Sequence, residues 1–409
     1  MRRRIVALLI VVCMVMPIPC WADTSVVLSG TVVNPVYEDE LGRMPAVGGG
    51  SSSAPSSKKY PLASDAASCG EVMRAAMKKR TDAKFRYDFK KRSNAITENA
   101  TALLKASMEK ALKHTGVPTE GEYLRWQYAK YDFAATDYNG SDNNYIYYFD
   151  VHFVYYTSAK QETEVGEKID GVLGSLDLGT KDDYEVVKAI YDYVAGNVVY
   201  DHDGLRNGDL TAHTAWKAMC KGKAVCQGYS LLLYRMLLTC GIDCRMVAAD
   251  DGSTRVDAGH AWNLIKVGDQ YYYGDATWDS QGSGDKYFLQ GKNDFVGHDK
   301  YYHVHDYIKN HPVASSKCVD SGIVTALDTG ISKLSAGKGS ITVKINKVYG
   351  VKGYEIKYGN KIIRTSSVSK KISKLKRKKK YSVQVRSYKT VDGVDYYSAW
   401  SGKKSVKTR

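Results

Sequence analysis

In the stretch GKAVCQGYSLLLYRMLLTCGIDCRMV (222–247) one cysteine, Cys226, stands directly before an apolar run that reads as a buried helix. A thiol at a helix entrance is a candidate nucleophile, because the dipole and the unpaired N–H groups of a helix N-terminus favour the thiolate. Downstream, DAGHAWNLIKV and QYYYGDATWD are two strand-like runs joined by Gly268-Asp269, a pair that suits a tight hairpin. If Val267 pairs with Gln270, Trp262 faces Asp275 and His260 faces Thr277. His260 and Asp275 then share one sheet face as diagonal neighbours, about 7–8 Å apart or slightly closer. The chemistry open to such a set is acyl transfer. A thiolate attacks an amide carbonyl, an imidazole takes and returns the proton, and a carboxylate fixes the imidazole's tautomer and stabilises its cation. Backbone N–H groups at the start of the helix would hold the oxyanion, with Tyr200 as a further candidate donor. Bland alternatives are a core or disulfide role for Cys226, a satisfied core histidine at 260, an Asp275 that caps the turn toward Thr277, and core packing for Tyr200. No partner is assigned to His202, His213, His298, His303 or His305.

Other segments must hold these groups in place. KDDYEVVKAIYDYVAGNVVYD is an amphipathic helix, apolar at Val186, Val187, Ile190, Tyr191 and Val194, which Gly196 is expected to end before the short extended piece carrying Tyr200. Upstream, ASCGEVMRAAMKKR and AITENATALLKASMEKALKHTG read as helices, and KFRYDFK and NYIYYFDVHFVYY alternate as strands do. After the site, SITVKINKV, KGYEIKYG, KIIRTSSV and KKISKLKRKKKYSVQVRSYK are short strands with turns between them, as in a small β-sandwich.

The fold class expected is α+β, and the divisions are a signal peptide (1–22), a Gly/Ser-rich linker (23–60), an N-terminal α/β region (61–180), the thiol-bearing core (181–312), a second linker (313–330) and a basic all-β domain (331–409). The signal reading rests on MRRRIVALLIVVCMVMPIPCWAD, with its basic start, apolar run and small-residue exit at Ala22. It places the mature chain outside the cytoplasm, secreted or on the cell surface, with no transmembrane helix. Beyond the leader six cysteines remain, Cys69, Cys220, Cys226, Cys240, Cys244 and Cys318, and spacing does not choose among their pairings. Zinc at Cys220, Cys226, Cys240 and Cys244 is disfavoured by the lack of paired short spacings. Calcium at DYNGSDNN (137–144) is disfavoured because the full ligand spacing is missing. No cofactor or metal is expected.

Charge is distributed unevenly. The chain carries +15 overall, yet from Ile331 onward 22 Lys and Arg stand against 3 Asp and Glu, a net +19 that leaves −4 for everything before it. Such one-signed excess points to an anionic cell-envelope polymer as a partner. No phosphate-binding glycine loop or nucleic-acid module appears, and export argues against nucleic acid.

GKAVCQGYSLLLYRMLLTCGIDCRMV, GHAWNLIKVGDQYYYGDATWD and YDYVAGNVVYD together resemble the transglutaminase-like superfamily in its bacterial secreted branch, over roughly residues 182–311. KYFLQGKNDFVGHD fits the family's usual continuation. The resemblance implies a papain-like core with Cys226 as nucleophile, His260 as base and acid, and Asp275 as orienter, acting on peptide or protein amides by hydrolysis or by transfer to an amine. A non-catalytic surface-binding scaffold is the alternative. The basic domain resembles a fibronectin type III domain, with Tyr381 placed like that fold's corner tyrosine.

Overall fold

The computed structural model describes residues 27–34, 59–89, 96–137, 146–250, 259–298, 302–303, 311–320 and 322–409. The expected leader, residues 35–58 of the first linker, the oxygen-rich turn beyond Asp137, and His305 lie outside the described residues. The linker reading fails at its start, where Val27–Val33 form a strand paired with Lys130–Thr136. The chain divides into two units, Met1–Thr163 with Thr254–Val256, and Glu164–Ser253 with Asp257–Arg409.

The first unit contains strands β1 (Val27–Val33), β2 (Leu62–Ala63), β3 (Ala83–Asp88), β4 (Tyr128–Asp137) and β5 (Ile146–Tyr155), with helices α1 (Ala66–Lys79), α2 (Ile96–Ala111) and α3 (Glu122–Arg125). The strands form one sheet in the order β1-β4-β5-β3-β2, antiparallel except for the parallel β2–β3 pair. Asp65 starts α1 through a capping box in which its carboxylate accepts from Ser68 N–H at 2.7 Å, satisfying a donor that the helix leaves free. Met73, Met77, Leu104, Phe85 and Phe149 meet in the core between helices and sheet. Strand β4 was not among the segments expected to be strands. A register shift between Tyr128 and Lys130 disturbs its first residues, and from Tyr131 to Thr136 buried and half-buried residues alternate.

The second unit holds most of α4 (Ala159–Ser175), then α5 (Asp183–Asn197), β6 (Val199–Tyr200), α6 (His202–Arg206), α7 (Ala215–Lys221), β7 (Lys223–Ala224), α8 (Cys226–Thr239), β8 (Cys244–Asp250), β9 (Gly259–Val267), β10 (Gln270–Gly274), α9 (Ala276–Trp278) and β11 (Tyr302–His303). Helix α5 runs through Gly196 to Asn197 instead of stopping there, because Val198 is the first residue to turn extended. The sheet order is β10-β9-β8-β11, antiparallel throughout. β6 and β7 make a separate parallel pair in which Tyr200 stands opposite Ala224.

The same unit ends in a β-sandwich of β12 (Ile331–Gly337), β13 (Ser340–Ile345), β14 (Gly353–Tyr358), β15 (Lys361–Thr365), β16 (Ser369–Ile372), β17 (Lys380–Val391), β18 (Val394–Tyr397) and β19 (Lys404–Lys407). One sheet runs β12-β13-β16; the other runs β15-β14-β17-β18, with β19 also on β17. Ile341, Val343, Ile356, Val383 and Val385 fill the space between them. The Tyr381 hydroxyl accepts from Lys376 N–H at 3.1 Å and so pins the loop before β17. The segment leading into this sandwich lies along the core. Ala314 N–H donates to Tyr271 O, Cys318 N–H to Leu289 O, and Asp183 N–H to Ile323 O. Among the described residues no helix is long and apolar enough to cross a membrane.

Candidate active site

Helix α8 is buried from Gln227 to Leu238, and Cys226 opens it half-buried. Val225, extended at φ −86° and ψ 174°, turns the chain into the helix with no side-chain cap on the first N–H groups. That entrance is fixed from behind. Val225 N–H donates to Ala212 O at 3.0 Å, and Gln227 Nε2 donates to His213 O at 3.1 Å. At Gly228 a Cβ would lie 2.6 Å from Ala224 Cβ and 2.9 Å from Ala212 O, so only glycine lets the first turn of α8 sit this close.

The hairpin of β9 and β10 has the expected register, with Gln270 opposite Val267 and Gly274 opposite Asn263. Asn263 Nδ2 donates to Ser230 O at 3.1 Å, tying β9 to α8 and holding His260 over the helix entrance. Asp275 does not continue β10; it begins α9. Its Oδ1 accepts from Thr277 N–H at 3.0 Å and Trp278 N–H at 3.1 Å, and its Oδ2 accepts from His260 Nε2 at 2.7 Å. Capping and pairing, posed as alternatives from sequence, are done by the two oxygens of one carboxylate.

His260 Nε2 is taken by Asp275 at 2.7 Å, and the Cys226 sulfur acts on the same imidazole. The ring is 6% exposed and stacks on Trp278, with centroids 5.0 Å apart and planes at 16°. Burial alone would press its pKa down. The Asp275 carboxylate and the Cys226 sulfur more than offset this and push His260 up to about 10. Burial would likewise raise Asp275, but His260 and His298 hold it well below the usual carboxylate range. The imidazolium and the carboxylate are therefore the stable forms at neutral pH.

His298 is a member of this cluster that sequence reasoning did not place. Its Nε2 donates to the same Asp275 Oδ2 at 3.0 Å, and its ring lies against Phe295 (3.7 Å, 19°) and Trp278 (4.1 Å). Burial lowers its pKa, so His298 is the neutral donor and His260 the charged one. The only signal for it was a histidine in FVGHD, 23 residues beyond Asp275, on a loop that no strand register reaches. His260, Asp275 and His298 present ligand atoms within 4.8 Å of one another and could hold a metal, but hydrogen bonds at 2.7 and 3.0 Å already occupy those atoms. The four cysteines weighed as a zinc set form no such group among the described residues. Among the described residues no disulfide joins any of the six cysteines. Tyr200 lies half-buried beside the entrance of α8 and packs on His202, ring centroids 4.8 Å apart. His213, buried, falls to about 4 through desolvation.

Residues 172–276 match the model of the Transglutaminase-like superfamily. The chain carries a transglutaminase-like domain. The Kyphoscoliosis peptidase of Mus musculus is 26% identical over 164 residues, covering 38% of this chain and 24% of that protein. Its Homo sapiens counterpart is 25% identical over 153 residues, covering 35% and 23%. The chain thus spans about a quarter of the length of these curated relatives. A crystal structure of a TGase aligns with a TM-score of 0.26 at 16% identity, covering 48% of this chain and 51% of that one. The transglutaminase-like match ends at Ala276, one residue past Asp275, so it takes in Cys226, His260 and Asp275 but not His298.

Proposed function

We propose that this chain is an exported cysteine enzyme that cleaves peptide or protein amide bonds through a thioester on Cys226. The observation that carries the reading is the buried imidazole of His260, hydrogen-bonded to the Asp275 carboxylate and pushed up in pKa by that carboxylate and by the Cys226 sulfur. In the reaction the Cys226 thiolate attacks the carbonyl carbon, and the first N–H groups of α8, with Tyr200 as a further candidate, receive the oxyanion. His260 gives its Nδ1 proton to the departing amine as the C–N bond breaks, leaving the acyl group on sulfur. The neutral imidazole then takes a proton from water, hydroxide adds to the thioester, and the acid leaves with the thiolate restored. Asp275 keeps Nε2–H in place through both halves. Trp278, Trp262 and Phe295 wall the imidazole pair and keep bulk water from the carboxylate.

The peptidase names of the two relatives favour hydrolysis over amine transfer. Export rests on the leader-like first 22 residues. The C-terminal sandwich is read as a fibronectin type III-like module. The test is incubation of the mature chain with a peptide library and a labelled primary amine. Cleaved peptides without label support hydrolysis, and incorporated label moves the assignment to a transglutaminase. Neither product, with Cys226 shown to be reduced, favours a non-catalytic scaffold.

A further inference from the structure

The sandwich does not spread its positive charge evenly. The run Lys374 to Lys380 forms the loop before β17, and backbone bonds bring two other segments to it. Leu375 N–H donates to Gly339 O at 2.9 Å, Arg409 N–H to Gly337 O at 2.9 Å, and Thr408 N–H to Lys379 O at 3.0 Å. Lys380 stands opposite Lys407 in the β17–β19 register. One end of the sandwich therefore gathers the six cations of the run with Lys338 and Lys407, all of them exposed. Lys374 and Lys378 sit in the left-handed region, at φ 59° and 55°, so the loop has a defined shape.

The module's carboxylates are elsewhere. No Asp or Glu occurs between Glu355 and Asp392. Glu355 is held by Arg364 and Arg386, and Asp395 by Arg364. Asp392 sits in the β17–β18 turn, at the other end of β17 from Lys380. That other end is docked on the core. Lys389, 1% exposed, donates to Lys181 O at 3.4 Å and lies 3.6 Å from Asp183, whose carboxylate also accepts from Thr325. Nine residue steps along β17 separate Lys389 from Lys380, about 30 Å at strand rise.

We propose that this distal tip is a docking site for a phosphate-bearing polymer chain, and that the buried Lys389–Asp183 contact holds the tip at a fixed distance from the core. Eight cations on a surface formed by three segments match a ligand with closely repeated phosphates. The apolar side chains nearest the tip, Leu375 and Tyr381, pack inward against the sandwich core and offer nothing to insert into a bilayer. A polymer is therefore the occupant, not a lipid surface.

The experiment uses the full chain and long-chain inorganic polyphosphate as the probe. A tip variant carries Lys374→Gln, Lys376→Gln, Lys378→Gln and Lys379→Gln. A control removes equal charge at Lys333, Lys344, Lys361 and Lys403. The proposal expects binding to fall about ten-fold or more in the tip variant and much less in the control, with unchanged melting temperatures. Raising salt from 0.1 M to 1 M shrinks the Debye length from about 10 Å to about 3 Å and should abolish binding. Equal losses in both variants, or none in either, overturn the assignment to the tip. Binding to phosphatidylglycerol vesicles but not to polyphosphate overturns the choice of occupant.

Discussion

Replacing Asp275 with Asn tests the electrostatics of the site most sharply, because the carboxylate accepts at both ends. Oδ1 takes two backbone N–H groups, and Oδ2 takes the Nε2 atoms of His260 and His298. An amide has one acceptor end and one donor end. Whichever way it turns, its NH₂ meets two donors, and the imidazolium loses its counter-charge. The rise of His260 from 6.5 to about 10 corresponds to roughly 5 kcal/mol in favour of the charged ring. Burial opposes that rise and Asp275 is the larger part of what drives it, so Asp275→Asn should return His260 to 6.5 or below. At pH 7 the ring is then largely neutral, and the positive charge beside the Cys226 sulfur is lost. Alkylation of Cys226 by iodoacetamide should slow on the order of ten-fold at pH 7. Acyl-enzyme formation, which also needs the correct tautomer, should fall about 10⁴-fold. The assay is the alkylation rate against pH, with the site mapped by mass spectrometry and folding checked by melting temperature. A folded variant with an unchanged rate and pH profile would refute the reasoning.

His298→Ala removes one of the two side-chain donors on a buried carboxylate oxygen, so it should cost about 1–3 kcal/mol of stability while slowing alkylation less than Asp275→Asn does; unchanged denaturant unfolding would contradict the hydrogen bond. Gly228→Ala drives a methyl into Ala224 and Ala212 O, so it should destabilise the chain by about 1–3 kcal/mol and slow alkylation by shifting the first turn of α8, and a neutral effect on both would show that the packing there is loose. Because the folded-state pKa of His260 is raised, its contribution to stability is full below pH 6.5 and is lost as pH rises through about 10, so melting temperature should fall across that window in the wild type and fall less in His260→Gln. Equal pH dependence in the two proteins would remove the ion pair.

The site was legible where the sequence has local rules. A helix entrance at Cys226 follows from the apolar run directly after it, and the pairing of Val267 with Gln270 follows from a two-residue turn. What lay beyond those rules was missed. Asp275 leaves the strand to cap α9, so extending the hairpin register placed it on the correct face but not in the correct element. His298 reaches the carboxylate from a loop, through tertiary packing against Trp278 and Phe295, and no periodicity encodes that. Strand β4 went unread, and α4, whose polar and apolar residues alternate with several glycines, did not stand out as a helix. In the sandwich the lysine run was visible. Its convergence with Lys338 and Lys407 on one end depends on strand pairing across the module.

The most direct test of the central claim is to trap the acyl-enzyme and map it. The wild-type chain, Cys226→Ser and His260→Ala would each be exposed at pH 7 to an activated acyl ester, and intact mass would be followed before and after neutral hydroxylamine. The account predicts one added acyl group in the wild type, located on Cys226, released by hydroxylamine, and missing from both variants. An acyl group on another cysteine, or equal trapping in folded His260→Ala, would contradict it.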